Sequence, residues 1–259
     1  MNYQDLAVLI ISCDKFSDVW RSSLKQFRRF FPEDYRIYLG SNLVRCDEPG
    51  VVSVLSGEDL DWSTSCKRIL VQIREPKLFI IVEDYFLASH TDMEGFEAAL
   101  FYLFEKNAVH VKYCGVRMPM GSTGNPRIGS LPRGSPYRAT VCGFWDREYL
   151  IKLLIEGENP WNFEILGSYR TAYSDGFYGL TQPLCDYRNM VEKGQWVPQS
   201  LGWARKQGIN LNLDRRPVLK GGGLFFSWVK ILFFGLMFHI PWRWRVGLMN
   251  KARKALISY

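Results

Sequence analysis

Leu78-Phe79-Ile80-Ile81-Val82 runs directly into Glu83-Asp84 (residues 78–84). Five apolar residues in succession are the pattern of a strand buried on both faces of a sheet, and they are too few for a buried helix. In open α/β sheets ligands bind beyond the carboxyl ends of the strands, where this pair of carboxylates falls. Adjacent carboxylates fixed at such an end can hold Mg²⁺ or Mn²⁺ against a diphosphate. The plain alternative is that acidic residues end a strand where solvent begins.

The flanking sequence repeats the theme. Ala7–Ser12 is a second continuous run, and helical spacing follows in Val19, Trp20, Leu24, Phe27, Phe30 and Phe31, closed by Pro32. Residues 35–40 and 51–55 read as short strands. Ser63 is the expected cap of a helix to about Arg74, with Leu70, Val71 and Ile73 inward. Asp92 is the expected cap of another, to about Asn107, and Val109–Val116 returns as a strand. This alternation predicts an open α/β sheet, mainly parallel. Residues 117–137 hold four glycines and four prolines and read as a long loop, a lid or acceptor-binding segment. Tyr137–Phe144, a helix from Arg147 to Ile155, and residues 160–170 complete the body.

The chain has 259 residues, 47% of them hydrophobic, enough for one α/β domain with an appendage. Its +7 charge is unevenly spread: nine Lys or Arg and no Asp or Glu occur from Arg215 onward, leaving a nearly neutral body of 24 basic and 26 acidic residues. A basic tail on a neutral body points to anionic lipid headgroups rather than nucleic acid, for which no binding fingerprint occurs. Aromatic content of 15%, with nine Trp, fits sugar contact, a membrane interface or simply a large core. The six Cys form no CxxC pair and the three His are too scattered for zinc, so a reducing cytosol is expected. Leu6–Ile11 is too short for a signal peptide.

Gly221-Gly222-Gly223 divides the expected domains, 1–215 and 221–259. Residues 224–240 are mostly apolar and as a helix would be about 25 Å long, short of a bilayer core, with Lys230 near the middle. Trp242-Arg243-Trp244-Arg245 follows, an aromatic and basic signature of the membrane–water interface. Helices lying in the inner leaflet are the favoured expectation, ahead of a short spanning helix or one packed on the body.

Glu164, in Asn159-Pro160-Trp161-Asn162-Phe163-Glu164, stands among aromatic groups near a helix start. Desolvation by Trp161 and Phe163 would raise its proton affinity, suiting a general base for a sugar hydroxyl. A first-turn Glu stabilised by the helix dipole is the structural alternative.

Together, IISCDKFSDVW (10–20), FFPEDYRIYLGSN (30–42), GEDLDWSTSCKRIL (57–70), LFIIVEDYFL (78–87), ENPWNFEILGSYR (158–170) and YRNMVEKGQW (187–196) resemble a family of bacterial glycosyltransferases of lipopolysaccharide, capsule and related surface-polysaccharide assembly. The resemblance, over roughly residues 6–209, implies a GT-A-like open mixed sheet flanked by helices, to which the tail residues add an expected C-terminal amphipathic membrane-associating appendage. It implies a nucleotide-sugar donor; taken with the basic and apolar tail, the expected acceptor is a lipid-linked saccharide and the expected place is the cytoplasmic face of the inner membrane, peripheral or monotopic. Carried over, Glu83 and Asp84 would form the metal and diphosphate site. Cys13 and Asp14 would lie by the base and ribose. Asp61, Trp62, Ser63 and Lys67 would close the donor pocket. Glu164 would be the base of an inverting reaction. Apart from the resemblance, Trp161 is an acceptor candidate, and Arg117 and Arg127, in or beside the long loop, are candidates for a phosphate of the acceptor lipid, with solvated charge the favoured account of both arginines. Tyr85 stands where a DxD spacing would continue, so Lys67 or Arg68 is a substitute cation for the diphosphate. Two other functions fit the pattern: a nucleotidyltransferase, although Ser12-Cys13-Asp14-Lys15 lacks a Gly-rich triphosphate loop, and a non-catalytic membrane adaptor of an assembly complex.

Overall fold

The computed structural model describes residues 5–31, 35–113, 120–219, 236 and 239–256. Pro32, Arg117 and nearly all of the apolar run 224–240 lie outside the described residues.

The first half forms the expected parallel sheet. Strands β1 (Leu6–Ile11), β2 (Arg36–Ser41), β3 (Val51–Leu55) and β4 (Lys77–Val82) lie in the order β3-β2-β1-β4. Their register sets Ile11 beside both Gly40 and Val82, so their carboxyl ends share one edge. All six residues of β1 are buried, which is why it reads as unbroken apolar sequence. Helices cover both faces. On one, α1 (Ser17–Phe30) and α3 (Met93–Glu105) pack over Val8, Ile10, Phe79 and Ile81. On the other, α2 (Trp62–Leu70), α4 (Arg147–Leu153) and α5 (Pro160–Arg170) pack over Ala7, Leu9, Leu78 and Ile80. Each fully buried Leu, Ile or Phe of these layers contributes roughly 1.5–3 kcal/mol of transfer free energy.

Beyond β4 the sheet is not mainly parallel. β9 (Gly143–Asp146) runs antiparallel between β4 and β6 (His110–Lys112); β10 (Phe177–Leu180) is parallel to β6. The pair β7 (Gly121–Ser122) and β8 (Ile128–Ser130) completes a nine-stranded mixed sheet. Four of the eight pairings are parallel and four antiparallel. A parallel neighbour needs a crossover, usually helical. The described part of the connection from β6 to β9 has no helix, so the chain re-enters antiparallel. β7 and β8 also correct the reading of 117–137 as a loop. The result is the expected open mixed sheet with helices on both faces.

Two helix starts differ from expectation. α2 begins at Trp62 under Asp61, whose carboxylate accepts from the Thr64 amide at 2.9 Å, so the cap is Asp61 and not Ser63. Asp92 stands at the N-cap of α3 without a capping bond, because its side chain pairs with Arg127.

After β10, a ribbon of β5 (Tyr85–Leu87) with β11 (Tyr187–Asn189) leads into the short pair β12 (Val191–Glu192) and β13 (Gln195–Trp196), then α6 (Pro198–Lys206). Met190, Val191, Trp196, Leu201 and Ala204 bury against Val19 and Phe86, folding this segment over the start of α1.

The last helix, α7 (Trp242–Leu256), is seated on the body. Val246 is buried against Gly134, where a Cβ would approach Val246 Cγ2 at 2.5 Å, and Trp242 meets Tyr173 with ring centroids 5.4 Å apart. Arg245, expected at the membrane interface, turns inward: it is buried and donates to Ile240 O at 3.0 Å and Ser135 Oγ at 3.4 Å. No helix among the described residues is long and apolar enough to cross a membrane.

Candidate active site

The shared carboxyl edge of β1–β4 gathers Ser12-Cys13-Asp14 after β1, Asn42 after β2, Ser56 after β3 and Glu83-Asp84 after β4. Ile80 pairs with Gly143 at the start of antiparallel β9, so Val141, two residues earlier, reaches the same edge. Its amide donates to Glu164 Oε1 at 3.0 Å. Topology therefore brings Glu83, Asp84 and Glu164 to one side of one sheet.

Glu83 is 7% exposed. Burial, then the charge of Asp84, pushes its carboxyl well above the usual range, against a hydrogen bond from Ser12. The Ser12 hydroxyl is itself fixed by the Trp20 indole N–H at 2.7 Å. Burial raises Asp84 to about 7. The Cys13 thiol is raised by burial and by the nearby Glu83 charge. Two acids so poorly solvated are costly to ionise together and favour a positive charge beside them.

The compensating side chain was not foreseen. Arg216, counted with the lipid-binding tail by composition, is buried and its charge favours ionisation of both Glu83 and Asp84. Its fork is held by Asp18: Nη2 donates to Oδ1 at 2.6 Å and Nε to Oδ2 at 3.2 Å, with Nη2 also reaching Lys15 O at 2.6 Å. The guanidinium lies 4.3 Å from the ring centroid of Phe16 and 5.8 Å from that of Trp196. With Asp18 consuming much of this charge, the acidic pair retains room for a further cation. Mg²⁺ is commonly held by one or two carboxylates together with substrate phosphates, a role these hard oxygens fit. Among the described residues no group of three or more His, Cys, Asp or Glu offers a metal cage.

The other expected donor residues divide. The Asp14 carboxylate is occupied by the backbone: it accepts from the amides of Asn42 at 3.0 Å, Leu43 at 3.0 Å and Val44 at 3.1 Å. It ties the end of β1 to the end of β2. Burial alone would raise Asp61, but bonds from Thr64 and from the Gly157 and Ser63 amides hold it below the usual range. Trp62 leans on Phe163 with centroids 5.4 Å apart. Ser63 is fully buried; its amide donates to Glu158 O at 3.1 Å, while its hydroxyl has no hydrogen-bond partner among the described residues. Lys67 is half-buried in the last turn of α2.

α5 begins as its sequence predicts, with Pro160 in the first turn and Asn159 accepting from the Asn162 amide at 2.8 Å. Burial raises the proton affinity of Glu164, opposed by the Val141 amide and the charge of Lys112. The source of that burial is not the expected one: Trp161 is 61% exposed, and Phe163 packs into the core near Trp62 and Trp145. Instead Glu164 faces Val141, Lys112 and Tyr137. Lys112, at the end of β6, donates to Tyr137 O at 3.2 Å, and the Tyr137 phenol is raised by burial and by Glu164. Both ends of α5 are braced, since Arg170 grips Glu158 with Nη1–Oε1 at 2.6 Å and Nη2–Oε2 at 2.9 Å. Of the acceptor candidates, Arg127 is committed to its ion pair with Asp92, Trp161 stands in solvent, and Arg117 lies outside the described residues.

No family model and no curated protein matches the chain. Among solved structures it is similar to S. aureus TarS, at 10% identity over 68% of this chain and 36% of that one, with TM-score 0.41. To S. aureus TarS 1–349 in complex with UDP-GlcNAc the values are 10%, 73%, 62% and 0.43. To the mannosyltransferase PcManGT from Pyrobaculum calidifontis, in complex with GDP-Man and Mn²⁺, they are 13%, 98%, 76% and 0.46. The chain spans less than two thirds of the length of these TarS chains.

Proposed function

We propose that this chain is a glycosyltransferase that moves a sugar from a nucleotide-sugar donor to a lipid-linked saccharide in bacterial surface-polysaccharide assembly, at the cytoplasmic face of the inner membrane. The observation that carries the reading is one sheet edge bearing two kinds of carboxylate. Glu83 and Asp84 form a desolvated pair of carboxyls with an arginine beside it; Glu164 stands apart on α5 with one backbone donor and a lysine. Pairs of carboxyl environments tuned differently are the arrangement that separates acid, base and charge-stabilising roles.

Glu83 and Asp84 would hold the Mg²⁺ or Mn²⁺ at the diphosphate. When bound, that ion supplies positive charge to the leaving group as the glycosidic bond breaks. Arg216 partly offsets the cost of ionising the pair, and Asp18 keeps Arg216 aimed. Glu164 accepts the proton of the attacking acceptor hydroxyl, its affinity raised by burial and its orientation fixed by the Val141 amide. Attack assisted by Glu164 on the face of the sugar away from the leaving diphosphate would give inversion. The lipid-linked acceptor is supported by the acid-free basic tail and the apolar run before it.

The test is a thermal-shift screen of UDP-, dTDP-, GDP- and CMP-sugars with Mg²⁺ or Mn²⁺, followed by transfer assays on Asp84→Asn and Glu164→Gln. Stabilisation by one nucleotide sugar, with transfer abolished in both variants, is expected. Stabilisation by a nucleoside triphosphate alone would turn the reading to nucleotidyl transfer, and full transfer by both variants would remove the site.

A further inference from the structure

The described side chains of α7, residues 242–252, divide into two stripes. Trp242, Arg245, Val246, Met249 and Asn250 are buried or half-buried on the side that meets the body, whereas Arg243, Trp244, Gly247, Leu248 and Lys251 face outward. Trp244 is 75% exposed and Leu248 41% exposed. Trp244 belongs to none of the buried clusters among the described residues. It stands between two basic side chains, on a segment with no acidic residue from Arg215 to the end of the chain.

We propose that this outward stripe of α7 is a docking surface for an anionic lipid bilayer. Charge complementarity selects the occupant: cationic residues flanking a Trp and a Leu match a headgroup layer, where an amphipathic ring sits with its apolar body inward. The apolar run 224–240 leads directly into the helix, which continues the same preference along the chain. The helix is a rigid foot rather than a loose tail, since Val246 and Arg245 fix it to the body and it packs against α5, the helix that bears Glu164. The proposal deepens the lipid-acceptor part of the functional reading and is independent of the chemistry assigned to the carboxylates.

The experiment is co-sedimentation of the full chain with vesicles of phosphatidylcholine, alone or mixed with phosphatidylglycerol. Wild type is expected to partition onto the mixed vesicles and to be released by salt. Arg243→Glu with Lys251→Glu should lower partition by about 25-fold or more, roughly fivefold for each basic side chain lost at the surface. Lys25→Glu with Lys206→Glu makes the same charge change at exposed sites on α1 and α6 and should retain most binding. Trp244→Ser with Leu248→Ser tests the apolar half and should also weaken partition. Equal losses in the two charge-reversal pairs, unchanged partition in the α7 pair, or equal binding of wild type to both vesicle types would overturn the proposal. So would a vesicle-free dimer that Trp244→Ser dissolves, which would assign the stripe to a second copy. Far-UV circular dichroism checks folding, and the donor-induced thermal shift, untouched by these variants, keeps the result separate from the enzymatic reading.

Discussion

Asp84→Asn should make the metal-free protein more stable while abolishing its activity. The Asp84 carboxyl titrates at about 7 in the fold against an ordinary value of 3.8, chiefly through burial. A group whose folded value is raised favours folding when protonated, and that contribution is lost as pH rises from the unfolded value through the folded one. A difference of about three pH units, at 1.36 kcal/mol each, sets an upper limit of about 4 kcal/mol destabilisation above pH 7. Relaxation around a half-buried side chain reduces this, and a gain of about 1–3 kcal/mol at pH 8 is expected for the neutral amide, or a Tm rise of about 3–10 °C. Near pH 4 the folded state holds the proton and the unfolded state is only about half ionised, so the gain should fall to about 0.5 kcal/mol. Thermal unfolding followed by circular dichroism at pH 4 and pH 8, with a chelator present, measures the difference. Adding Mn²⁺ at pH 8 should then stabilise the wild type and not the variant. A Tm change of equal size at both pH values, or a loss at pH 8, would refute the claim that this carboxylate is held against its own solvation.

Three further outcomes follow from the geometry. Glu164→Gln should lower turnover by about 10²–10⁴ while leaving the donor-induced thermal shift intact, because the amide keeps the Val141 contact but cannot take a proton. His110, buried between Phe144 O and Thr140 Oγ1 and stacked on Trp145 at 3.9 Å, is pushed down to about 3. Its neutral form is favoured by the fold, so its contribution is whole above about pH 6.5 and declines as pH falls, by about 2 kcal/mol at pH 5; urea titrations of wild type and His110→Gln at pH 5 and pH 8 should differ in that slope. Glu158→Ala leaves the Arg170 guanidinium without its carboxylate and should cost about 3–5 kcal/mol in urea unfolding, with a smaller loss in Glu158→Gln.

The parts of the molecule legible in its sequence are those whose cause is local. β1 and β4 are buried on both sides and so are written as unbroken apolar runs, and the start of α5 is written in Asn159-Pro160. β7 and β8 are not, because strands of two and three residues built on Gly121 and Gly129 carry no apolar alternation. At the start of α2, two capping residues compete within three positions; Asp61 takes the Thr64 amide, and the Ser63 amide, a first-turn donor, finds Glu158 O instead. The acidic pair was visible from its place after β4. Arg216 was not, since its partner Asp18 lies 198 positions earlier and only the folding of residues 190–204 over α1 brings them together. Long-range ion pairs leave no periodic trace.

The three backbone amides collected by Asp14 alter how a mutational scan of this edge would read. Alanine at 14 would unlatch the turn after β2 and with it the wall of any base pocket, scoring as essential whether or not the carboxylate ever meets a nucleotide. Asparagine at the same position keeps an oxygen for those amides and removes only the charge. The contrast between the two substitutions, more than either alone, separates scaffolding from recognition at the mouth of the first strand.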